Sequence, residues 1–158
     1  MSADRVSVTR RVAAPASKVF SIVSNPAGHV EIDGSGMLQS ATDARQLTTV
    51  GETFDMDMDR RPLGDIPGLG LYKVRCTVTR IIADRLVEWA VAGADQPPVG
   101  HLFGWQIEPI GDAECDVTNY CDWTGIPDKL RSWRPWPVVP VPMLELSVEN
   151  LERIATRP

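Results

Sequence analysis

The chain has 158 residues, of which 43% are hydrophobic, and this suffices for a single domain over residues 1–158 with a full apolar core. Its formal net charge of -5 argues against a nucleic acid or an anionic membrane as partner, because both select clustered Lys and Arg. No apolar run approaches the ~20 residues that span a bilayer, and the first residues lack the features of a signal peptide, so we expect a cytoplasmic protein.

The first predicted elements are a strand and two short helices. Residues 5–12 alternate between apolar and polar side chains, which indicates a half-buried strand. Pro15 then opens a helix whose apolar face carries Val19 and Val23. A second short helix is predicted over residues 27–32, before a glycine-rich break.

Six further strands are predicted in the middle of the chain. Alternating patterns and intervening turn residues place them at residues 37–41, 53–59, 71–82, 85–92, 101–109 and 115–123. In the strand at 53–59, Phe54, Met56 and Met58 alternate with acidic residues, which we expect to pair with basic residues of the next strand. Together with the first strand, these segments predict a meander of about seven strands.

The last part of the chain combines a proline-rich segment with a helix. Residues 125–142 contain five prolines, and we predict a stiff aromatic loop without regular helix or central strand. In residues 143–155, Leu144, Val148 and Leu151 share one face and glutamates lie elsewhere, which indicates an amphipathic helix.

Residues 8–20, 103–109 and 146–154, together with this order of elements, resemble the START-like (SRPBCC, birch-pollen-allergen-like) superfamily. Several segments look like its polyketide cyclase/dehydrase branch, and the resemblance covers nearly the whole chain. It implies an α+β helix-grip fold, in which a curved antiparallel sheet of about seven strands wraps around a long C-terminal helix, with two short helices after strand 1. It also implies an internal pocket for a small hydrophobic ligand, lipid-like or polyketide-like, but no single reaction.

The lining of that pocket is predicted by alternation along the strands, taking the face that holds Phe54 as concave. The predicted ligand-binding residues are Phe54, Met56, Met58, Val74, Cys76, Trp89, Phe103, Trp105, Asn119 and Cys121 from the sheet, and Leu144, Val148 and Leu151 from the helix. The pocket itself is expected from the resemblance, because periodicity alone does not distinguish a cavity from a filled core.

Two polar residues of the same face are the candidate catalytic residues. The unperturbed pKa of a histidine side chain, near 6.5, suits proton transfer, so His101 is one candidate and Tyr72 is the second. The alternative for His101 is an exposed or structurally hydrogen-bonded imidazole. His29, with Glu31 and Asp33, is expected at the mouth of the pocket, with helix capping and surface charge as the alternative.

The remaining polar motifs favour surface or core roles. The Arg60 and Arg61 pair is interpreted as solvated surface. The acidic run 55–59 lacks the glycine and the glutamate of a calcium loop, and we expect neither a metal nor a cofactor. Three cysteines are expected to be reduced, buried thiols: Cys76, Cys115 and Cys121.

Three functional hypotheses follow from these patterns. The first is a non-catalytic protein that binds or carries a small hydrophobic molecule between the sheet and the last helix. The second is a polyketide cyclase, aromatase or dehydratase in which His101 or Tyr72 moves protons. The third is a protein-interaction module that uses the tryptophans of residues 133–136.

Overall fold

A computed structural model of the chain describes residues 4–132 and 136–158, in which seven strands form one curved antiparallel sheet. The strands are β1 (Arg5–Val12), β2 (Leu38–Thr42), β3 (Thr53–Asp59), β4 (Leu71–Ile82), β5 (Leu86–Gly93), β6 (Leu102–Pro109) and β7 (Cys115–Asp122). The helices of the described residues are α1 (Ala16–Val23), α2 (Pro26–Ile32), α3 (Asp128–Arg131) and α4 (Val141–Ala155). The spatial order β1-β7-β6-β5-β4-β3-β2 joins neighbouring strands by hairpins except at β1 and β7.

Helix α4 packs against β1, β7, α1 and α2, so the predicted helix-grip arrangement is confirmed. Its position is fixed partly by polar contacts with the turn between α2 and β2. Ser147 Oγ accepts a hydrogen bond from Gly34 N at 2.8 Å, and Asn150 Nδ2 donates to Ile32 O at 3.1 Å. A Cβ on Gly34 would lie 2.4 Å from Met143 O, so only glycine allows this close approach.

Prolines and capping groups set the ends of the first two helices. Pro15 precedes α1 in an extended conformation, and its carbonyl accepts from Val19 N at 3.2 Å. Asn25 caps α2 by accepting from Ala27 N at 3.0 Å, while Pro26 occupies the first turn. Proline is compatible with these positions because its missing N–H would have no helical partner there.

The prediction that residues 125–142 contain no regular helix is wrong at both ends. Pro127 directly precedes the single turn of α3, and Pro142 lies in the first turn of α4, where proline is tolerated. Arg131 of α3 makes two hydrogen bonds to the Asp4 carboxylate, at 3.0 and 3.1 Å, which tie this segment to the start of β1.

The two faces of the sheet follow the predicted alternation across β3 and β4. Met56 pairs with Val74 on the concave face. On the convex face, Asp55 contacts Arg75 at 2.8 Å. Asp57 and Lys73 are 3.4 Å apart on the same face, so the expected cross-strand pairing of acidic and basic residues is present.

A β-bulge interrupts the alternation near the end of β4. The register shifts between Val78 and Arg80, so that Val78 pairs with Trp89 and Ile81 pairs with Val87. Val78 and Ile81 both pack into the core although an odd number of residue steps separates them. The extra residue of a bulge reverses which side chains face inward, and this accounts for the change.

The convex face carries a buried polar cluster formed by Glu88, Tyr120 and Thr79. Tyr120 Oη donates to Glu88 Oε2 at 2.5 Å, and Thr79 Oγ1 donates to Glu88 Oε1 at 2.8 Å. The guanidinium carbon of Arg5 lies 3.8 Å from the centre of the Tyr120 ring. The ring fits because Gly104 has no side chain, and burial raises the pKa of Tyr120.

Candidate ligand cavity

A cavity of about 300 Å³ is lined by residues of the concave face of the sheet, of α2 and of α4. The β3 to β4 connection contributes Ile66 and Leu69, and the segment before α4 contributes Val138 and Val139. The volume lies at the lower end of the range for small-molecule sites. Because an apolar cavity of ~150 Å³ accommodates benzene, this one has room for a molecule of about two aromatic rings.

Most residues predicted to bind the ligand line this cavity. From the sheet these are Phe54, Met56, Met58, Val74, Cys76, Trp89, Phe103, Trp105 and Asn119, and from α4 Leu144. The two candidate catalytic residues, Tyr72 and His101, line it as well. Concave residues of β3 to β7 therefore lie around one cavity, and their role in ligand binding stays a prediction.

Three of the predicted ligand-binding residues lie outside the lining. Cys121 packs with Trp123 and Ile126 in a separate apolar cluster. Val148 and Leu151 are fully buried in the main core, because this part of α4 packs against β1, β7 and α1. The prediction that these three residues line the cavity is thus wrong, and their side chains contribute to the packing of the core instead.

Aromatic rings form one wall of the cavity around Trp89. The ring of His29 stacks on that of Trp89, with centroids 4.5 Å apart and planes at 19°. Phe54 meets His29 edge to face at 5.5 Å, and the Phe103 ring lies 6.4 Å from Trp89. Such a wall favours flat, apolar guests, because stacked and edge-to-face aromatic contacts are favourable.

His29, expected at the mouth of the pocket, lines the cavity, and the alternative of helix capping and surface charge is wrong. It is only 4% exposed, and its Nε2–H donates to Val23 O at 2.5 Å. Burial lowers the pKa of His29 to about 4, so the imidazole is neutral at pH 7. A signal was present in the sequence, since His29 and the buried Ile32 are three residues apart and share one face of α2.

Arg60 provides a cationic group on the lining, and its interpretation as solvated surface is wrong. Its Nε and Nη2 each donate to the Asp65 carboxylate at 2.7 Å, and Nη1 donates to Tyr72 Oη at 3.2 Å. The Asp65 carboxylate raises the pKa of Arg60 further above its ordinary value. Arg60 is in step with Met58 along β3, whereas Arg61 is exposed and pairs with Asp59.

His101 is buried in the lining, so the alternative of an exposed imidazole is wrong. Its ring lies 5.7 Å from that of Phe103 and 5.2 Å from that of Trp136. Tyr72 lies on β4, and β5 separates it from the strand that His101 precedes. The register brings the row of His101 across Val91 to Cys76, four residues along β4 from Tyr72. Two strand spacings of ~4.8 Å and ~13 Å along the strand make the backbones of these candidates ~16 Å apart, so they line different parts of the cavity.

The segment predicted as a tryptophan-rich interaction loop is described only in part. Trp136 is half-buried and packs against the cluster of Cys121, Trp123 and Ile126. Trp133 lies outside the described residues. The position of Trp136 therefore does not favour a role as an exposed anchor for a protein partner.

The three cysteines are buried free thiols, as the sequence predicted. Burial raises the pKa of Cys76 and that of Cys121 to about 12. Burial also raises the pKa of Cys115. Because the thiolate is the reactive form, these side chains behave as apolar packing groups at neutral pH.

Residues 4–132 and 136–158 contain neither a candidate metal cluster nor a helix that could span a membrane. No group of three His, Cys, Asp or Glu side chains there could hold a metal ion. None of the helices in this part of the chain is long and apolar enough to cross a membrane.

Solved structures with a similar fold include proteins of several kinds. The Zhui aromatase/cyclase from a Streptomyces species has a TM-score of 0.66 and 12% identity, over 97% of this chain and 93% of that one. Norcoclaurine synthase from Thalictrum flavum has a TM-score of 0.60 and 15% identity, over 98% and 94%. A major latex-like protein from Panax ginseng has a TM-score of 0.65 and 11% identity, over 97% of both chains. At these identities the likeness shows the fold alone.

The chain is also similar in sequence to curated proteins and to one family. The uncharacterized protein Rv0088 of Mycobacterium tuberculosis is 33% identical over 119 residues, which are 75% of this chain and 47% of that protein. The chain thus spans about half the length of the curated relatives it matches. The family described as "Polyketide cyclase / dehydrase and lipid transport" matches residues 3–157, and the protein belongs to this family.

Proposed function

We propose that the protein binds and carries a small, largely apolar molecule in the cavity between the sheet and α4. The observation that carries this proposal is the cavity of about 300 Å³ with its wall of stacked aromatic side chains. Burial of the apolar surface of the guest supplies the affinity, at ~25 cal/mol per Å² before association costs. Met56 and Met58 allow the wall to adapt to the shape of the guest.

The bonding state of the polar lining residues favours binding over proton transfer. His29 is neutral and donates to a backbone carbonyl. The Arg60 guanidinium is occupied by Asp65 and Tyr72. Asn119 Nδ2 donates to Gly104 O at 3.0 Å, so all three of these polar groups have hydrogen-bond partners within the protein.

A carrier is tested most directly by detecting the molecule that co-purifies with it. We expect native mass spectrometry of protein isolated gently from its host to show a bound apolar compound that organic extraction releases. Protein that carries no such compound under these conditions, and that also fails to bind two-ring aromatic probes, contradicts the proposal.

A second candidate function is a cyclase or dehydratase of the polyketide type. The observation that favours it is that His101 and Tyr72 both line the cavity. The aromatase/cyclase and the norcoclaurine synthase are enzymes with the same fold, although fold alone does not carry an activity over. An enzyme acting on a poly-β-ketone should lose turnover but retain binding in His101→Ala or Tyr72→Phe. Unchanged rates in both variants remove these roles.

A further inference from the structure

The buried guanidinium of Arg60 is held rigidly at the edge of the cavity. Its backbone N donates to Gly70 O at 3.0 Å, and the preceding Asp59 N donates to Met37 O at 2.8 Å. The side chain is only 7% exposed. Among the cavity-lining residues of the described chain, Arg60 is the lone Arg or Lys. A buried cation of this kind requires an anionic partner at all times.

The present partner of Arg60 comes from a surface loop. Asp65 lies in residues 61–70, here called the β3–β4 loop, and its side chain is 21% exposed, three times as much as that of Arg60. Gly64 and Gly68 of this loop have positive φ angles of 63° and 82°. Ile66, the neighbour of Asp65, lines the cavity, so the Arg60 to Asp65 ion pair fastens the loop against the ligand space.

We propose that Arg60 is an anion subsite of the cavity, and that the carboxylate of a small aromatic or apolar acid replaces Asp65 there and releases the β3–β4 loop. This inference rests on the proposed function, and it specifies the ligand as a monoanionic acid. Asp65 occupies the two guanidinium donors, Nε and Nη2, that a ligand carboxylate would take in the same bidentate geometry.

The exchange is balanced in charge and in hydrogen bonds. One carboxylate replaces another, so Arg60 keeps a counterion, and Asp65 moves into water where its charge is well solvated. Tyr72 Oη continues to accept from Nη1. A neutral guest lacks the charge that could replace Asp65, and therefore leaves the loop fastened.

Two ionisable groups of the lining, His29 and Asp33, do not compete for the ligand carboxylate. His29 is neutral at pH 7 because burial lowers its pKa to about 4. The Asp33 carboxylate accepts from Ser35 N at 2.9 Å, from Ser35 Oγ at 2.7 Å and from Leu38 N at 3.0 Å. These bonds tie Asp33 to the turn between α2 and β2.

The test uses two probes of the same shape, 2-naphthoate and its neutral isostere 2-naphthamide, each of which has two rings. In Asp65→Asn the competing carboxylate is gone, so calorimetry at pH 7 should show 2-naphthoate binding about tenfold tighter than in wild type. The affinity for 2-naphthamide should change less than about twofold. Asp57→Asn is the matched control, since Asp57 pairs with Lys73 on the convex face, and it should leave both affinities unchanged.

Two more measurements address the subsite and the loop. The double variant Arg60→Gln/Asp65→Asn removes both charges together, leaves no unpaired ion, and should lose the preference for 2-naphthoate. In wild type, 2-naphthoate but not 2-naphthamide should accelerate hydrogen exchange of loop amides such as Leu63 and Leu69, which donate to Arg60 O and Ile66 O.

The outcomes separate this inference from the proposed function. If 2-naphthamide binds but Asp65→Asn does not favour 2-naphthoate, or the loop amides respond equally to both probes, the anion subsite is overturned and the cavity stands. If neither probe binds wild type or Asp65→Asn, the proposed function falls, and the subsite falls with it.

Discussion

His29, which belongs to the buried aromatic wall of the cavity, makes the stability of the fold depend on pH. In the unfolded chain a histidine takes up a proton near pH 6.5, whereas the folded protein holds the pKa of His29 near 4. Between these pH values the unfolded state binds more protons than the folded state. The free energy of unfolding should therefore decrease as the pH falls through this window, and the contribution is fully present above pH 6.5.

The substitution His29→Gln removes this titration and keeps a side-chain donor for Val23 O. Between pH 7 and pH 4, wild type should lose roughly 3 kcal/mol more stability than the variant. Denaturant unfolding at the two pH values measures the difference, and carboxylates elsewhere affect both proteins alike. Equal pH dependence in the two proteins would show that the imidazole does not stay neutral inside the cavity.

Gly104 is required by the packing of Tyr120 on the convex face. A Cβ at this position would lie 2.3 Å from the Tyr120 ring, which in turn holds the hydroxyl against Glu88. Gly104→Ala should cost about 1–3 kcal/mol in stability as the ring is displaced. Gly93→Ala is the control, because its Cβ meets only the Gln96 side chain at an ordinary distance of 3.7 Å. Similar unfolding midpoints for the two variants contradict this account.

At the level of single residues, the sequence predicts which side of the sheet a side chain lies on better than it predicts the partners to which that side chain bonds. The sequence favours a solvated Arg60, because an arginine is expected at the surface, and its burial is explained only by Asp65 lying beside it. Cys121 lies on the concave side of the sheet, as alternation predicts. It is too near the end of β7 to line the cavity, because it packs there with Trp123 and Ile126 in a separate cluster.

Helix α4 is divided between the cavity and the core. Leu144 and Ser147 line the cavity, whereas Val148 and Leu151 are fully buried against other parts of the fold. The apolar face of the helix is continuous in sequence, and no periodicity distinguishes its two ends. What lies opposite each turn is set by the curvature of the sheet and by α1, and these depend on the whole fold.

This division predicts different consequences for two leucine truncations in α4. Leu151→Ala should cost about 2–5 kcal/mol in stability and leave the affinity of the folded protein for 2-naphthamide unchanged. Leu144→Ala should enlarge the cavity and change that affinity. Thermal unfolding and calorimetry on the same samples measure both effects. Equal changes of affinity in the two variants would mean that α4 is not divided in this way.

The elements themselves follow from the sequence, apart from positions where local rules compete. Proline is a signal against helix in the interior but is compatible with a first turn, which explains the misjudged ends of residues 125–142. The bulge of β4 was not predicted, because an extra residue in one strand becomes visible only when its partner β5 is in place.

At the scale of the molecule, the order of elements and the resemblance to a family predicted the helix-grip fold. The cavity does not follow from the order of elements, because it is the volume left when side chains from six strands, two helices and four connecting segments have been packed. Alternation indicates which residues face inward but not whether their side chains fill the interior or leave a cavity. Only the assembled fold shows that the rings around Trp89 leave room for a guest.

The binding of a small apolar molecule in this cavity is tested most directly by filling the cavity with a larger side chain. Val74 lines the cavity, so Val74→Phe should occupy part of it, whereas Val50→Phe makes the same change at a site that is 58% exposed. Calorimetric titration with neutral 2-naphthamide should show binding to wild type and Val50→Phe, and at least about tenfold weaker binding to Val74→Phe. Equal binding to both variants, or none to wild type, would contradict the account.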